Sequence, residues 1–237
     1  MRSIDTIDWR TPEELLEEGF RQSRVVMVNE AHDGMLRCIR TREVGSRLLP
    51  VAHRCGVRVL AMEAFGCPGL NFPRDQGYLG QPEMAKFVGE AEALGWSLFG
   101  YEADSRAAPD DIRTDTMSMV YTQWREREQA RNLLNIIKRV DDEVRVMVWG
   151  GWGHVLKVEG MMAGRFIELS GPEPFVIDQT LTVVTRYDSS NQFSFIEWAG
   201  PALVRLGGTA GFLTDDSIIE LPAGRDAVLL SLENSME

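Results

Sequence analysis

Two histidines follow apolar runs of the sequence, and each stands close to other residues that can take part in acid–base chemistry. The chain contains three histidines in total. His32 comes shortly after the run RVVMVN, with Glu30 and Asp33 beside it, and His154 comes shortly after the run VRVMVWGG. Because an imidazole gains and loses a proton near neutral pH, two histidines at equivalent positions predict a site for proton transfer.

Carboxylates stand at the ends of the two apolar runs between these histidines. Glu63 lies in the run VRVLAMEAF, Glu102 is the last residue but one of the run WSLFGYEA, and Asp104 follows that run directly. A carboxylate inside an apolar run is costly to bury unless it is paired or functional, so Glu63 is a candidate site residue. Glu102 and Asp104 have a second interpretation as caps of the next helix.

A long charged segment adds a cation to this set. The stretch WREREQARN places Arg125 and Asn132 seven residues apart with Gln129 between them, so the three share one helix face. The density of charges alone favours a solvent-exposed face with pairs at i,i+4 spacing. A site at the strand ends would instead use Arg125 to stabilise an oxyanion.

A parallel sheet is the element that would bring these residues together. Four apolar, β-rich runs alternate with helical patterns at about 12–22, 35–54, 82–94 and 111–140. This alternation predicts an α/β fold, a mostly parallel central sheet with helices on both faces. Ligands of such sheets bind beyond the carboxyl ends of the strands, where all four runs would deliver their polar residues.

The sequence changes character after Gly171, where short β-like runs replace the alternation. These runs are FVIDQTLTVVTRY, QFSFIEW, SIIEL and AVLLSL. We expect one α/β domain over residues 1–237, in which 23–170 carries the site and 171–237 extends the sheet with further strands. The segment 66–80 is rich in glycine and proline, and its length is typical of a lid or binding loop.

Composition restricts the partners and the compartment. A net charge of −11 argues against nucleic acid and against an anionic membrane surface. The acidic start lacks the apolar stretch of a secretory signal, and no run reaches the roughly 18 apolar residues of a membrane helix. Because the three cysteines cannot all pair and lack disulfide spacing, we expect a cytoplasmic protein. The partner that we expect is a small-molecule or peptide substrate.

Taken in order, these motifs resemble the superfamily of erythromycin esterase, the ChaN-like haem-binding proteins and the TIKI-type proteases. The family's G-E-x-H after a first strand is similar to Asn29-Glu30-Ala31-His32, and its next strand ends in a glutamate, here Glu63. The R-[DE]-x-x-x-A-x-N helix of the esterases is matched from Arg125 to Asn132. A second G-x-x-H is matched at 151–154, so the resemblance spans about 25–155.

The chain departs from the family at several points. Asn29 replaces the first glycine of the G-E-x-H motif. The large helical insert of the macrolide esterases is absent, which puts macrolide hydrolysis in doubt. The export signal and lipid-anchoring cysteine of the ChaN-like lipoproteins are absent as well. The chain therefore resembles a reduced, cytoplasmic core of the family.

The resemblance implies an esterase- or amidase-like hydrolase for an ester, lactone or amide bond. His32 would act as general base on a water molecule, and Glu30 or Glu63 would orient it. Arg125 would stabilise the oxyanion, and His154 would protonate the leaving group. This mechanism needs no cofactor. Four further residues are candidates for substrate binding: Asp33, Glu102, Asn132 and Trp152.

Three alternatives stay open at the level of sequence. Two histidines and several glutamates are a plausible ligand set for a divalent metal, which would give a metal-dependent hydrolase of the TIKI type. The ChaN-like proteins imply a binding protein for haem or another ligand, without turnover. A tailoring enzyme of a biosynthetic pathway is the third alternative. The oligomeric state is not indicated by the sequence.

Overall fold

The fold is given by a computed structural model. It describes residues 7–31, 36–69, 73, 75, 77–180, 196–216, 221 and 223–231. His32 and Asp33, and parts of the predicted runs after residue 180, lie outside this set.

Within these described residues, seven strands form one sheet. They are β1 (Val25–Glu30), β2 (Val57–Met62), β3 (Ser97–Gly100), β4 (Arg145–Gly151), β5 (Phe175–Asp178), β6 (Thr209–Leu213) and β7 (Ala227–Ser231). The strand order is β3-β2-β4-β1-β5-β7-β6, and every neighbouring pair is parallel except β6 with β7 at one edge. The prediction of a mostly parallel sheet, extended by C-terminal strands, is confirmed.

Helices cover both faces of this sheet, as predicted. They are α1 (Pro12–Gln22), α2 (Leu36–Arg54), α3 (Pro82–Ala93), α4 (Asp110–Arg113), α5 (Met119–Arg139), α6 (Met162–Glu168) and α7 (Ile196–Arg205). Side chains of α1, α2 and α3 form one apolar core with Val26 and Val28 of β1. Side chains of α5 and α6 form another with Val25 and Met27, because successive residues of a strand point to opposite faces.

Local sequence explains where several helices begin and end. Thr11 accepts a hydrogen bond from the Glu14 amide at 3.2 Å, and the Glu14 carboxylate accepts one from the Thr11 amide at 2.8 Å. This capping box, with Pro12 in the first turn, starts α1 as predicted. Gly56, two residues after the end of α2, has a φ of +92°, which glycine adopts without strain.

The predicted long helix at 111–140 is two helices, so that prediction is corrected. The chain leaves α4 after Arg113 and starts α5 only at Met119. Ser118 caps the new helix by accepting a hydrogen bond from the Tyr121 amide at 3.2 Å. A serine at that position favours the start of a helix over its interior, which explains the break.

The C-terminal part contains both confirmed and wrong predictions. Strands β5 and β7 lie within the predicted runs, whereas β6 was not predicted. The last three residues of QFSFIEW are helical, because α7 starts at Ile196 and buries Ala199, Ala202 and Leu203 at helical spacing. Most of the run SIIEL lies outside the described residues. No helix within the described part of the chain has the length and apolar character required to cross a membrane.

Candidate functional site

Four of the predicted residues meet at the carboxyl edge of the sheet. Glu63 follows β2 directly, Glu102 comes two residues after β3, and His154 lies in the single helical turn after β4. Arg125 reaches them from α5, which packs on the same face of the sheet as α6. Parallel strands explain the gathering, since their carboxyl ends lie along one edge.

Arg125 is at the centre of this cluster. Its Nε donates to Oε1 of Glu102 at 2.9 Å, and its Nη2 contacts the other oxygen of that carboxylate. Nη2 also donates to Oε2 of Glu63 at 3.3 Å, while Nη1 lies 3.4 Å from Nε2 of His154. Burial by itself lowers the pKa of Arg125, but Glu102 and Glu63 raise it above its ordinary value, so the guanidinium stays charged.

His154 is held between a buried carboxylate and this guanidinium. Its Nδ1 lies 2.5 Å from Oε1 of Glu126, and its Nε2 lies 3.8 Å from Oε2 of Glu63. Burial by itself lowers the pKa of His154, but Glu126 and Glu63 outweigh burial and the repulsion of Arg125 and raise it above its ordinary value. Nδ1 of the imidazole therefore faces the Glu126 carboxylate, and Nε2 faces the cluster.

Glu126 is the site residue that the sequence analysis missed. Its side chain is 2% exposed, and its Oε2 accepts a hydrogen bond from the Met162 amide at the start of α6, at 2.6 Å. A signal for it existed in the sequence. Glu126 occupies the same stripe of α5 as the buried residues Ala130, Leu133 and Ile137, and an acid in an apolar stripe requires a partner.

Backbone and amide groups fix the two remaining carboxylates. Oε1 of Glu63 accepts a hydrogen bond from the Gly151 amide at 2.9 Å. The Gln129 amide donates to Oε1 of Glu102 at 3.0 Å and lies 3.5 Å from Oε2 of Glu63. Asn132 donates to the carbonyl of Glu102 at 2.9 Å, so it positions the segment after β3. Its predicted role in substrate binding stays a prediction.

Tyr101 lies directly beneath the cluster. It is fully buried, and its hydroxyl donates to the carbonyl of Trp149 at 3.2 Å. Burial raises its pKa well above the ordinary value, and the nearby Glu63 and Glu102 raise it further, so the phenol stays neutral. A Cβ at Gly150 would lie 2.7 Å from this hydroxyl, so the tyrosine fits only beside glycine.

Trp152 has an uncommon backbone conformation beside His154. Its φ is +32°, a region that residues with a side chain rarely adopt, and the residue is 47% exposed. The Trp152 carbonyl accepts a hydrogen bond from the Asn29 side chain at 2.9 Å. The predicted substrate-binding residue is thus held near the acid–base group with its ring partly in water.

Glu30 does not join the Arg125 cluster. Its carboxylate accepts hydrogen bonds from Nε of Arg42 at 3.2 Å and from Nε1 of Trp149 at 2.8 Å. Trp149 belongs to the core under α2 and α3, so the side chain of Glu30 points to the sheet face opposite α5. Its predicted role in orienting His32 stays a prediction, because His32 lies outside the described residues.

The predicted roles of His32 and Asp33 likewise stay predictions. Among the described residues, no group of three or more His, Cys, Asp or Glu side chains has an arrangement that could hold a metal ion. The metal-dependent alternative relied on His32 as a ligand, so this finding does not test it.

Comparison with known proteins finds similarity in solved structures alone. No family model matches the chain, and no curated protein matches it. The type III effector HopBA1 aligns over 97% of this chain and 99% of its own, with a TM-score of 0.55 and 14% identity. RRSP, a MARTX toxin effector domain from Vibrio vulnificus, aligns over 78% of this chain and 37% of its own, with a TM-score of 0.47 and 15% identity.

These identities are low, so the likeness to HopBA1 concerns the fold alone. The chain has the α/β architecture of that effector over nearly its whole length. Function follows from the site, because one fold supports many chemistries.

Proposed function

We propose that the protein is a hydrolase that cleaves an ester, lactone or amide bond, with His154 and Arg125 as its catalytic residues. One observation carries this proposal. His154 has Nδ1 against the buried Glu126 carboxylate and Nε2 beside the Arg125 guanidinium. An imidazole fixed by a carboxylate at one nitrogen is the usual acid–base device of acyl-transfer enzymes.

The charge environment of His154 favours the role of general acid. Its pKa is raised by Glu126 and Glu63 in spite of burial, so a larger fraction carries a proton at neutral pH than for an ordinary histidine. The His154 side chain is 19% exposed, so solvent reaches part of the imidazole. A proton on Nε2 can then be given to a departing oxygen or nitrogen.

Arg125 suits the role of oxyanion stabiliser. Glu102 holds Nε and Nη2, which fixes the plane of the guanidinium, and Nη1 faces His154. A carbonyl oxygen bound at Nη1 would gain negative charge during the reaction, next to a guanidinium that is already held in place. Such preorganised charge lowers the barrier of acyl transfer, since little rearrangement accompanies the developing charge.

The proposed reaction balances with water as the only co-reactant. His32, in its predicted role, takes one proton from water, and the hydroxide forms a bond to the carbonyl carbon. The oxyanion is stabilised by Arg125. As the intermediate collapses, the bond to the leaving group breaks and His154 supplies its proton, which gives a carboxylic acid and an alcohol or amine. Proton exchange with solvent restores both histidines.

The test is hydrolysis of a panel of ester, lactone and amide substrates by the wild type and by His154→Gln. The substitution removes the proton donor, and we expect activity to fall by about 10²–10⁴-fold. His53→Gln is the matched control, since His53 accepts a hydrogen bond from Trp96 at 3.1 Å, outside the cluster. Its activity should stay within about twofold of the wild type.

Two further measurements separate the alternatives. His32→Ala should abolish turnover while the protein stays folded, and a chelator should leave turnover unchanged. Stoichiometric metal whose removal abolishes activity would replace this mechanism with metal-dependent hydrolysis. A folded protein that carries haem, gives a Soret band and turns over nothing in the panel would overturn the hydrolase proposal.

A further inference from the structure

The turn after β4 holds a large apolar ring beside the proposed general acid. Trp152 precedes His154 by two residues, has a φ of +32° and is 47% exposed. Strained backbone of this kind persists only where the surrounding structure fixes it, and it is concentrated at ligand-binding and catalytic positions.

A buried amide network fixes this turn. Asn29 is 1% exposed, and its Nδ2 donates both to the Trp152 carbonyl at 2.9 Å and to Oδ1 of Asp178 at 2.8 Å. Its Oδ1 accepts a hydrogen bond from the Gln179 amide at 2.8 Å. Both ends of the Asn29 carboxamide are therefore tied to residues at the end of β5 and just after it, and Trp152 is held through its carbonyl.

The immediate neighbour of the turn is also apolar. Met161 is 36% exposed, and its sulfur lies 3.7 Å from the position that a Cβ on Gly153 would occupy. Gly153 lies next to Trp152 in sequence and next to the Met161 thioether in space, and both of these side chains can make contact with hydrocarbon. Glu63 also lies close to the turn, because its carboxylate accepts a hydrogen bond from the Gly151 amide, whereas Glu102 is paired with Arg125.

We infer that Trp152 and Met161 form a subsite for the apolar acyl chain of the substrate, on the acid side of the scissile carbonyl. The inference rests on the proposed function, because His154 and Arg125 define where that carbonyl would lie. The apolar group then contacts the indole face while the carbonyl oxygen meets Nη1 of Arg125. Substrates with a short acyl group leave the subsite empty.

The experiment is a comparison of p-nitrophenyl acetate and p-nitrophenyl hexanoate on the wild type, Trp152→Gly and Trp152→Phe. Glycine relieves the positive φ, so Trp152→Gly should fold. We expect kcat/KM for the hexanoate to fall about tenfold in Trp152→Gly and to be largely kept in Trp152→Phe. The acetate should change by less than about threefold in both variants. Val204→Ala, at an exposed apolar residue of α7, is the control.

A binding measurement separates this inference from the proposed function. Hexanoate and acetate, the product acids, are titrated by calorimetry, which requires no turnover. A hexanoate preference that is lost in Trp152→Gly supports the subsite even if no ester is hydrolysed, and in that case only the hydrolase proposal fails. Hydrolysis or binding with no dependence on chain length overturns the subsite. A wild-type preference for the 6-aminohexanoyl ester over the hexanoyl ester also overturns it, in favour of a cation on the ring.

Discussion

Two arginine–glutamate clusters lie on opposite faces of the sheet, and water reaches them to different extents. On the α2 face, the side chains of Arg42 and Glu30 are each 1% exposed. On the α5 face, Arg125 is 29% exposed and its partners Glu63 and Glu102 are 12% and 25% exposed. Each arginine projects from a helix toward carboxylates at or near strand ends. The two clusters therefore contain the same kinds of charged groups, but only the cluster on the α5 face is accessible to solvent.

The partners of the two arginines differ as well. Arg42 pairs with one carboxylate, donates to the side-chain oxygen of Gln81 at 2.5 Å, and has its guanidinium carbon 4.5 Å from the centre of the Tyr78 ring. It thereby ties β1 and α2 to the start of α3. Arg125 instead faces two carboxylates and the Nε2 of His154.

This difference indicates separate roles for the two ion pairs. A fully desolvated pair with all its partners in place stabilises one arrangement of the chain, and its removal leaves an unpaired buried charge. A partly exposed cluster with several titratable groups near one another is the arrangement found at functional sites. The predictions below test this division, from the largest expected effect to the smallest.

Arg42→Met should produce the largest loss of stability. The substitution leaves the Glu30 carboxylate buried without its cation, which costs about 3–5 kcal/mol in the free energy of unfolding. Urea denaturation of the variant measures this loss. Arg47→Met, on the same helix and in an exposed pair with Glu13 at 2.9 Å, should cost at most about 1 kcal/mol.

A second variant sharpens the result for Arg42. Replacing both members of the pair, in Arg42→Met with Glu30→Leu, removes the buried charge altogether and should recover most of the lost stability. If Arg42→Met alone costs less than about 1 kcal/mol, the pair is not a structural tie and the comparison fails.

Arg125→Met should act on activity more than on stability. Loss of the oxyanion-stabilising cation should lower kcat by about 10²–10³-fold. The free energy of unfolding should change by less than about 1.5 kcal/mol, because water reaches the carboxylates that the substitution leaves behind. Arg127→Met, at an exposed position on the same helix, should leave both quantities unchanged. Equal activity in Arg125→Met and Arg127→Met would contradict the assigned role.

Glu126→Gln should shift the pH dependence of the reaction. Because Glu126 raises the pKa of His154, the neutral amide should lower that pKa. With His154 as general acid, the alkaline limb of the profile of kcat/KM against pH then moves to lower pH, and activity at neutral pH falls about 10–100-fold. The control is Glu128→Gln, because Glu128 lies on the same helix but pairs with Arg131 at 2.5 Å. This variant should have the same pH profile as the wild type.

These residues also delimit what the sequence could predict. Alternating strands and helices were sufficient to predict a mostly parallel sheet, and with it the approach of Glu63, Glu102 and His154 at one edge. The face taken by Glu30 was not predictable in the same way. All six residues of β1 are buried, so hydrophobic alternation carries no information about which face each side chain takes.

Glu126 and Trp152 were missed or incompletely predicted for different reasons. The sequence signal for Glu126 is its position in the apolar stripe of α5. Because α5 contains many charged residues, one acid in that stripe does not stand out from the others. The positive φ of Trp152 depends on a hydrogen bond from Asn29, more than 100 residues earlier in the chain. Local sequence contains no signal for such a contact, because it forms only when β1 and β4 pair.

The smallest expected effect is the dependence of stability on pH that His154 contributes at the α5 cluster. The pKa of His154 is higher in the folded protein than in the unfolded chain, so folding favours the protonated form. The resulting stabilisation is fully present below the unfolded pKa, near 6.5, and is lost as the pH rises through the higher folded pKa. Unfolding in urea across this range should show the decrease in the wild type and not in His154→Gln. An identical slope in both proteins would show that the surroundings of His154 do not favour its charged form.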